Sequence, residues 1–293
     1  MSHAPPVKAP IPVLAQAPAA NDHVLGGAVP GNESRFGAAL ADVVDGARHW
    51  PQWFTLGNLD IWLRFRRTGL GPLWTTLSFS LMAVALGVVY ARVLGEGMRT
   101  YLPYVVTGLF VWNFVAATCQ EACEAFVDSR HILKQLYLPR MTVVYRTLWR
   151  NIVLLGFNFV TVIAVIALCR VPVTWSTLLA LAGFVLLCVN LLWLSLLLAI
   201  AATRLRAISR VVGTGMPIAL FVTPLIWRPN ANSLRILTDW NPLYYTVEQV
   251  RGPLLGAPPA PWIWAASAGC ALIGTVVALL VFGATRHRIP YWL

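Results

Sequence analysis

A nucleotide-hydrolysing site needs a lysine closing a glycine-rich turn, and this 293-residue chain has lysine only at Lys8 and Lys134, neither within G-x-x-x-x-G-K-[ST]. Histidine chemistry is equally thin. His3, His23 and His49 precede the apolar part of the chain, His287 follows it, and His131 has no H-E-x-x-H pattern around it. Cys119, Cys123, Cys169, Cys188 and Cys270 all lie in apolar runs without metal spacing, so they read as packing residues and no metal site is expected. Side chains able to relay protons or couple ions are also missing from the apolar runs, where Glu121 and Glu124 fall only at one end. What the residues do offer is recognition chemistry. Trp112 and Trp193 fall near the middle of apolar runs, where an indole can pack a helix or stack on the face of a sugar ring, and Glu248 and Arg251 stand three apart, as an ion pair on one helix turn.

The elements that must carry these residues follow from composition. Of all residues 58% are hydrophobic and 11% charged, with mean hydropathy +0.68, which excludes an ordinary soluble domain. A charge at the bilayer centre costs several kcal/mol and about 20 apolar residues cross the hydrocarbon, so the charge-free intervals delimit the spans. Six are expected, near 70–91, 102–120, 151–169, 177–200, 211–227 and 262–285. The fifth is short and contains Pro217 and Pro224, whose freed carbonyls must be satisfied by protein or water.

Before the spans, residues 1–34 are rich in Ala and Pro and read as a disordered tail, and 35–67 as an amphipathic helix ending at Pro51, facing solvent or lying on the membrane, followed by a basic segment. Residues 68–293 form the transmembrane domain. The formal charge of +11 would suggest nucleic acid in a soluble protein, but here it is accounted for by topology. With the N-terminus cytoplasmic, the inner flanks hold most of the Lys and Arg, among them Arg64, Arg66, Arg67, Arg130, Lys134, Arg140, Arg146, Arg150, Arg204, Arg206, Arg210, Arg286 and Arg288. Both termini are then cytoplasmic, and no nucleic acid partner is expected. Tryptophans near span ends, such as Trp53, Trp62, Trp74 and Trp262, suit a belt in contact with membrane lipids.

Two polar segments have more pattern than a connection requires. The inner loop from Glu121 to Arg150 is long enough for a projecting helix that stops at Leu138-Pro139 and docks a partner. On the other side, Ser233 or Asn232 can cap a short helix through Asp239, and Asn241, with Pro242 at the first helical position and Gly252 just past the end, can cap a second. Such a pair reads as an external gate or an interfacial anchor. A conduit whose energy comes from another subunit fits these features better than a secondary transporter, a membrane enzyme or a scaffold.

DIWLRFRRTGLGPLW at 60–74, YLPYVVTGLFVWNFV at 101–115, LKQLYLP at 133–139, ATRLR at 202–206, TPLIW at 223–227, NPLYYTVEQVRGPLLG at 241–256 and RHRIPYWL at 286–293 together resemble the ABC-2 type membrane subunits that export polysaccharides, particularly O-antigen and galactan exporter permeases of the Wzm type. The resemblance runs from about residue 36 to 293. It implies an all-α homodimer of six-span subunits in the bacterial plasma membrane, working with two copies of a separate ATPase that holds ATP and Mg, and exporting a lipid-linked glycan. This chain would then be no enzyme and would carry no cofactor. Teichoic acids, glycolipids or drugs are alternative amphiphiles for the same architecture. By resemblance, Arg64, Arg66, Arg67, Gly71, Pro72 and Trp74 form the entry motif that leads into the first span. Gln135, Leu136, Tyr137, Leu138, Pro139 and Arg140 lie at the ATPase-coupling contact, and Trp240, Asn241, Pro242, Tyr244, Tyr245, Glu248 and Arg251 at the external gate. Phe65 stands where that motif usually has Tyr.

Overall fold

The computed structural model describes residues 35–135, 138–228, 238 and 240–293, and no strand occurs among them. The tail before residue 35 and the first of the two expected outer helices lie outside the described residues. Eleven α-helices are described: α1 Arg35–Arg48, α2 Trp50–Phe65, α3 Leu73–Val93, α4 Met98–Asp128, α5 Arg130–Gln135, α6 Met141–Cys169, α7 Leu179–Arg204, α8 Ala207–Val222, α9 Pro242–Leu254, α10 Pro261–Thr285 and α11 Ile289–Trp292. The helices α3, α4, α6, α7 (with the 3-10 turn before it) and α10 are long and apolar enough to cross a membrane, and α8 is a shorter apolar helix.

The long helix α4 is the hub, packing on α3, α6, α7, α8 and α9 and burying most of its surface. Its 31 residues extend about 46 Å, well beyond a hydrocarbon layer of about 30 Å. The second span therefore continues as helix past Glu121 to Asp128, and α6 begins at Met141. The long inner loop expected from Glu121 to Arg150 is thereby corrected to a connection of residues 129–140 containing α5. The charged residues that marked a loop in the sequence instead face one another across helices, as shown below.

Two tight approaches fix the rest of the bundle. Gly183 on α7 lies so close to α9 that an added Cβ would sit 2.2 Å from the Gln249 carbonyl oxygen, and Gly274 on α10 lies beneath the Trp193 indole, where an added Cβ would sit 2.2 Å from Cε2. Backbones can come this near only where one partner has no side chain.

Three boundaries differ from expectation. The chain breaks at His49, and Pro51 opens α2 instead of ending the helix before it, since proline's missing N–H is harmless in a first turn. The fifth span is helical over α8 and unwinds at Thr223, before Pro224. Gly252 is inside α9, which continues through Pro253 to Leu254, because Leu255 and Ala257 donate back to the Gly252 carbonyl.

Candidate coupling and gate regions

The two ends of the bundle carry different chemistry. At one end lie the start of α3, the end of α4, the start of α6, the α7–α8 corner and the end of α10. Here α2 is joined to α4 and α6 by a chain of charges. Arg146 donates from Nε to Asp60 Oδ2 at 2.7 Å and from Nη2 to Oδ1 at 2.5 Å, a two-pronged pair. Arg150 reaches both carboxylates, with Nη1 3.0 Å from Asp60 Oδ2 and Nη2 2.8 Å from Glu121 Oε2. Glu121 also accepts from Asn151 Nδ2 at 2.7 Å and from Arg64 Nη1 at 3.1 Å. Asp60, Glu121, Arg146 and Arg150 keep only 17–22% of their side-chain surface exposed, so little water screens the pairs. Asp60, Arg64, Glu121, Glu124, Asp128 and Arg150 line a polar pocket of about 320 Å³ there.

Beside this joint, α1 closes on the start of α6. Asp42 accepts the Met141 N–H at 3.1 Å, supplying from another helix the acceptor that the first turn of α6 lacks locally. Burial pushes the Asp42 carboxyl above its ordinary value of 3.8, against the Met141 N–H and the charges of Arg140 and Arg286, which pull it down. Tyr145 donates to the Val43 carbonyl at 3.2 Å, and Arg286 donates to that of Ala38. The connection 129–140 is thus flanked on both sides by helices bound to α1 and α2.

Among the residues expected to couple to an ATPase, Leu138, Pro139 and Arg140 are half-buried just before α6, and Gln135 ends α5. Leu136 and Tyr137 lie outside the described residues. Of the expected entry motif, only Arg64 joins the charge chain. Arg66 lies 5.7 Å over the Trp62 ring, Arg67 and Trp74 are exposed, and Gly71 takes φ +56° in the turn that leads through Pro72 into α3.

At the opposite end, the chain unwinds after α8, and its carbonyls need donors. They receive them from side chains. Tyr104 Oη donates to the Pro224 carbonyl at 3.1 Å and to that of Trp227 at 3.2 Å, and Tyr101 Oη donates to that of Ile226. Arg251, 1% exposed, donates to the Pro224 carbonyl at 2.9 Å and from Nε to Glu248 Oε2 at 2.9 Å, with its guanidinium 4.1 Å over the Tyr104 ring. Arg228 sits 5.1 Å from the same ring and pairs with Glu96 at 3.1 Å. Asn241 caps α9 by accepting the Leu243 N–H at 3.0 Å and donates to Thr223 Oγ1 at 3.0 Å, tying α9 to the end of α8.

This geometry separates the residues expected at the gate. Asn241, Glu248 and Arg251 hold the unwound segment, whereas Trp240 is 84% exposed and Pro242 is exposed at the first turn of α9. Tyr245 packs edge-on to Trp262 at 5.3 Å, and Tyr244 meets Tyr245 edge-to-face at 6.0 Å. The two aromatics expected along a substrate path both make packing contacts within this chain, and Trp193 also lines a cavity of about 500 Å³. Trp112 is buried in the α4 core, and Trp193 covers Gly274 while its Nε1 donates to Asn190 Oδ1 at 3.2 Å.

Sequence reasoning missed Asp60, Asp42, Tyr101, Tyr104 and Arg228. The isolation of Asp60 among Arg64, Arg66 and Arg67 was a usable signal, since a lone carboxylate beside an apolar span calls for a cation. Nothing local marks Tyr101 and Tyr104, whose partners lie more than a hundred residues away.

Residues 51–255 match the family model described as ABC-2 type transporter. Two curated relatives are each named O-antigen export system permease protein RfbA, both from Klebsiella pneumoniae. One is 21% identical over 241 residues, covering 79% of this chain and 90% of the relative. The other is 25% identical over 109 residues, covering 37% of this chain and 40% of the relative. With the family model spanning most of an all-α, multi-span chain, the protein belongs to the ABC-2 type transporter family of membrane proteins.

Proposed function

We propose that this chain is the membrane-spanning subunit of an exporter that carries a lipid-linked polysaccharide of the O-antigen or galactan kind across the bacterial plasma membrane. In this reading it acts as a homodimer with two copies of a separate ATPase, which bind ATP and Mg, and it has no nucleotide site of its own. The observation that carries the proposal is the 241-residue similarity to a permease named for O-antigen export.

The bundle gives this reading a physical route. Nothing in the chain supplies energy, so ATP-driven motion must enter through a contact with two arrangements. A push on residues 129–140 acts on the end of α4 and the start of α6, and Asp60, Arg150 and Glu121 pass it to α2, which leads into α3. Both termini lie on the cytoplasmic side in this assignment, together with residues 129–140. The unwound segment held by Arg251 and Tyr104 then faces outward as part of the gate.

A mild-detergent pull-down of tagged protein from native membranes tests the proposal. A roughly equimolar Walker-type ATPase with vanadate-sensitive turnover in the eluate, and surface glycan lost when the gene is deleted, is the expected result. Loss of a teichoic acid or glycolipid instead would keep the exporter class and change the substrate, and repeated absence of an ATPase would overturn the reading.

A further inference from the structure

Two clusters of arginine occupy the same end of the bundle and differ in how they are neutralised. Between α2, α4 and α6, Arg64, Arg146 and Arg150 are all paired with Asp60 or Glu121. At the corner formed by the end of α7, the start of α8 and α11, Arg204, Arg206 and Arg288 are exposed and have no carboxylate within salt-bridge distance among the described residues. The sequence explains the difference. No Asp or Glu occurs between Asp128 and Asp239, nor after Glu248, so α5, α6, α7, α8, α10 and α11 contribute no carboxylate side chain at all.

The neighbouring acids have other partners. Glu124 of α4 accepts from Ser209 Oγ at 3.3 Å, beside Arg210, and Asp42 of α1 faces Arg286 and the Met141 N–H. Arg286 is therefore left out of the cluster, whereas exposed Arg210, with no carboxylate within salt-bridge distance among the described residues, adds to the basic charge of this end. The corner is also built. Ile289 is 1% exposed and anchors α11 in the same apolar cluster as Ile200 and Phe282, which fixes Arg288 beside the end of α7. Trp292 packs on that cluster, and the Arg204 guanidinium lies 5.9 Å over its ring. Exposed Leu205 and Tyr291 complete an apolar and aromatic surround.

Three uncompensated guanidiniums, an indole and exposed apolar side chains at the ends of spanning helices match the boundary between headgroup and acyl chain. We propose that this corner docks an anionic phospholipid, with Arg204, Arg206 and Arg288 binding the headgroup phosphate and Trp292 and Leu205 lying against the upper acyl chain. The lipid supplies the counter-charge that α7, α8 and α11 do not carry in their side chains. An acidic protein surface is the competing partner, but it would not call for the apolar surround of Leu205, Tyr291 and Trp292.

The test uses the full chain purified in mild detergent and titrated with dioleoylphosphatidylglycerol or dioleoylphosphatidylcholine, with bound lipid counted by native mass spectrometry. Tighter retention of phosphatidylglycerol is expected, weakened by salt and by roughly fivefold for each arginine removed in an Arg204→Gln, Arg206→Gln, Arg288→Gln series. The corresponding Arg→Lys triple variant should keep most of the preference, and a charge-matched Arg92→Gln, Arg99→Gln, Arg170→Gln triple at the opposite end should leave it intact. Equal retention of the two lipids, no loss in the Gln series or an equal loss in the opposite-end variant would overturn the proposal. So would displacement of the lipid by millimolar inorganic phosphate, which would mark a free-anion site. Loss of a co-purifying protein without any change in bound lipid would assign the corner to an acidic protein surface instead.

Discussion

Arg251 is fixed by desolvation. Its guanidinium is enclosed by Glu248, the Pro224 carbonyl and the Tyr104 ring, so removing the charge leaves the Glu248 carboxylate without its cation and takes from that carbonyl one of its two donors, Tyr104 being the other. Arg251→Gln should destabilise the folded protein by about 3 kcal/mol, read as a fall in the unfolding temperature in detergent. Tyr104→Phe keeps the ring and removes only the two bonds to Pro224 and Trp227, so about 1–2 kcal/mol is expected. Trp240→Ala, at an exposed side chain, should leave the melting temperature unchanged, and a drop as large as that of Arg251→Gln would show contacts for Trp240 that this arrangement lacks. Asp42 offers a test with pH. Its folded carboxyl titrates above 3.8, so its contribution to stability is fullest below the unfolded value and is lost as pH rises through the raised folded value. Asp42→Asn retains an acceptor for the Met141 N–H and avoids burying a charge. Its stability relative to the native chain should therefore improve as pH rises from the ordinary carboxylate range into the weakly acidic range, and a pH-independent difference would contradict the burial argument.

Among elements, α2 is held to α6 by charge and by shape together. The Arg146–Asp60 pair sits beside Trp149, which covers Gly57 and donates to Asn58 Oδ1 at 3.2 Å. A double-mutant cycle with Asp60→Asn and Arg146→Gln should give a coupling of about 1–3 kcal/mol, above the value for an exposed pair because both partners are mostly buried. Coupling near zero would mean that packing alone positions α2. Where α7 meets α10, Gly274→Leu would drive a side chain into the Trp193 indole and should cost about 3 kcal/mol, while the same change at Gly156, whose Cβ direction is open, should cost far less.

For the whole molecule, the central expectation is that Leu138-Pro139→Gly-Gly abolishes export while membrane insertion and thermal stability persist. Glycans counted at the cell surface, beside protein counted in the membrane fraction, check this, and normal export would remove residues 129–140 from the coupling path. Much of the plan was legible beforehand. Charge-free intervals gave the spans because ionised side chains are excluded from hydrocarbon, and Asn241-Pro242 announced a helix start because a cap and an N1 proline act locally. The inner loop was misread for the same reason. Charge marks the end of a span in sequence, yet Glu121, Arg146 and Arg150 are carried on helix and are neutralised there by one another and by Asp60.

Sequence by itself determined the solvent in which the chain folds, the approximate spans and the excess of basic residues at one end, because those depend on composition and on spacing along one helix. The sequence limited where carboxylates are available, with none between Asp128 and Asp239 or after Glu248, and tertiary structure decided which basic residues the remaining ones reach. It placed Asp60 between Arg146 and Arg150 and left Arg204, Arg206 and Arg288 exposed, with no carboxylate within salt-bridge distance among the described residues. It also decided how the carbonyls beyond α8 are satisfied, by Tyr101, Tyr104 and Arg251 from helices distant in sequence. Pairing and hydrogen bonding act over a few ångströms in space, and only packing of the helices sets which residues come that near.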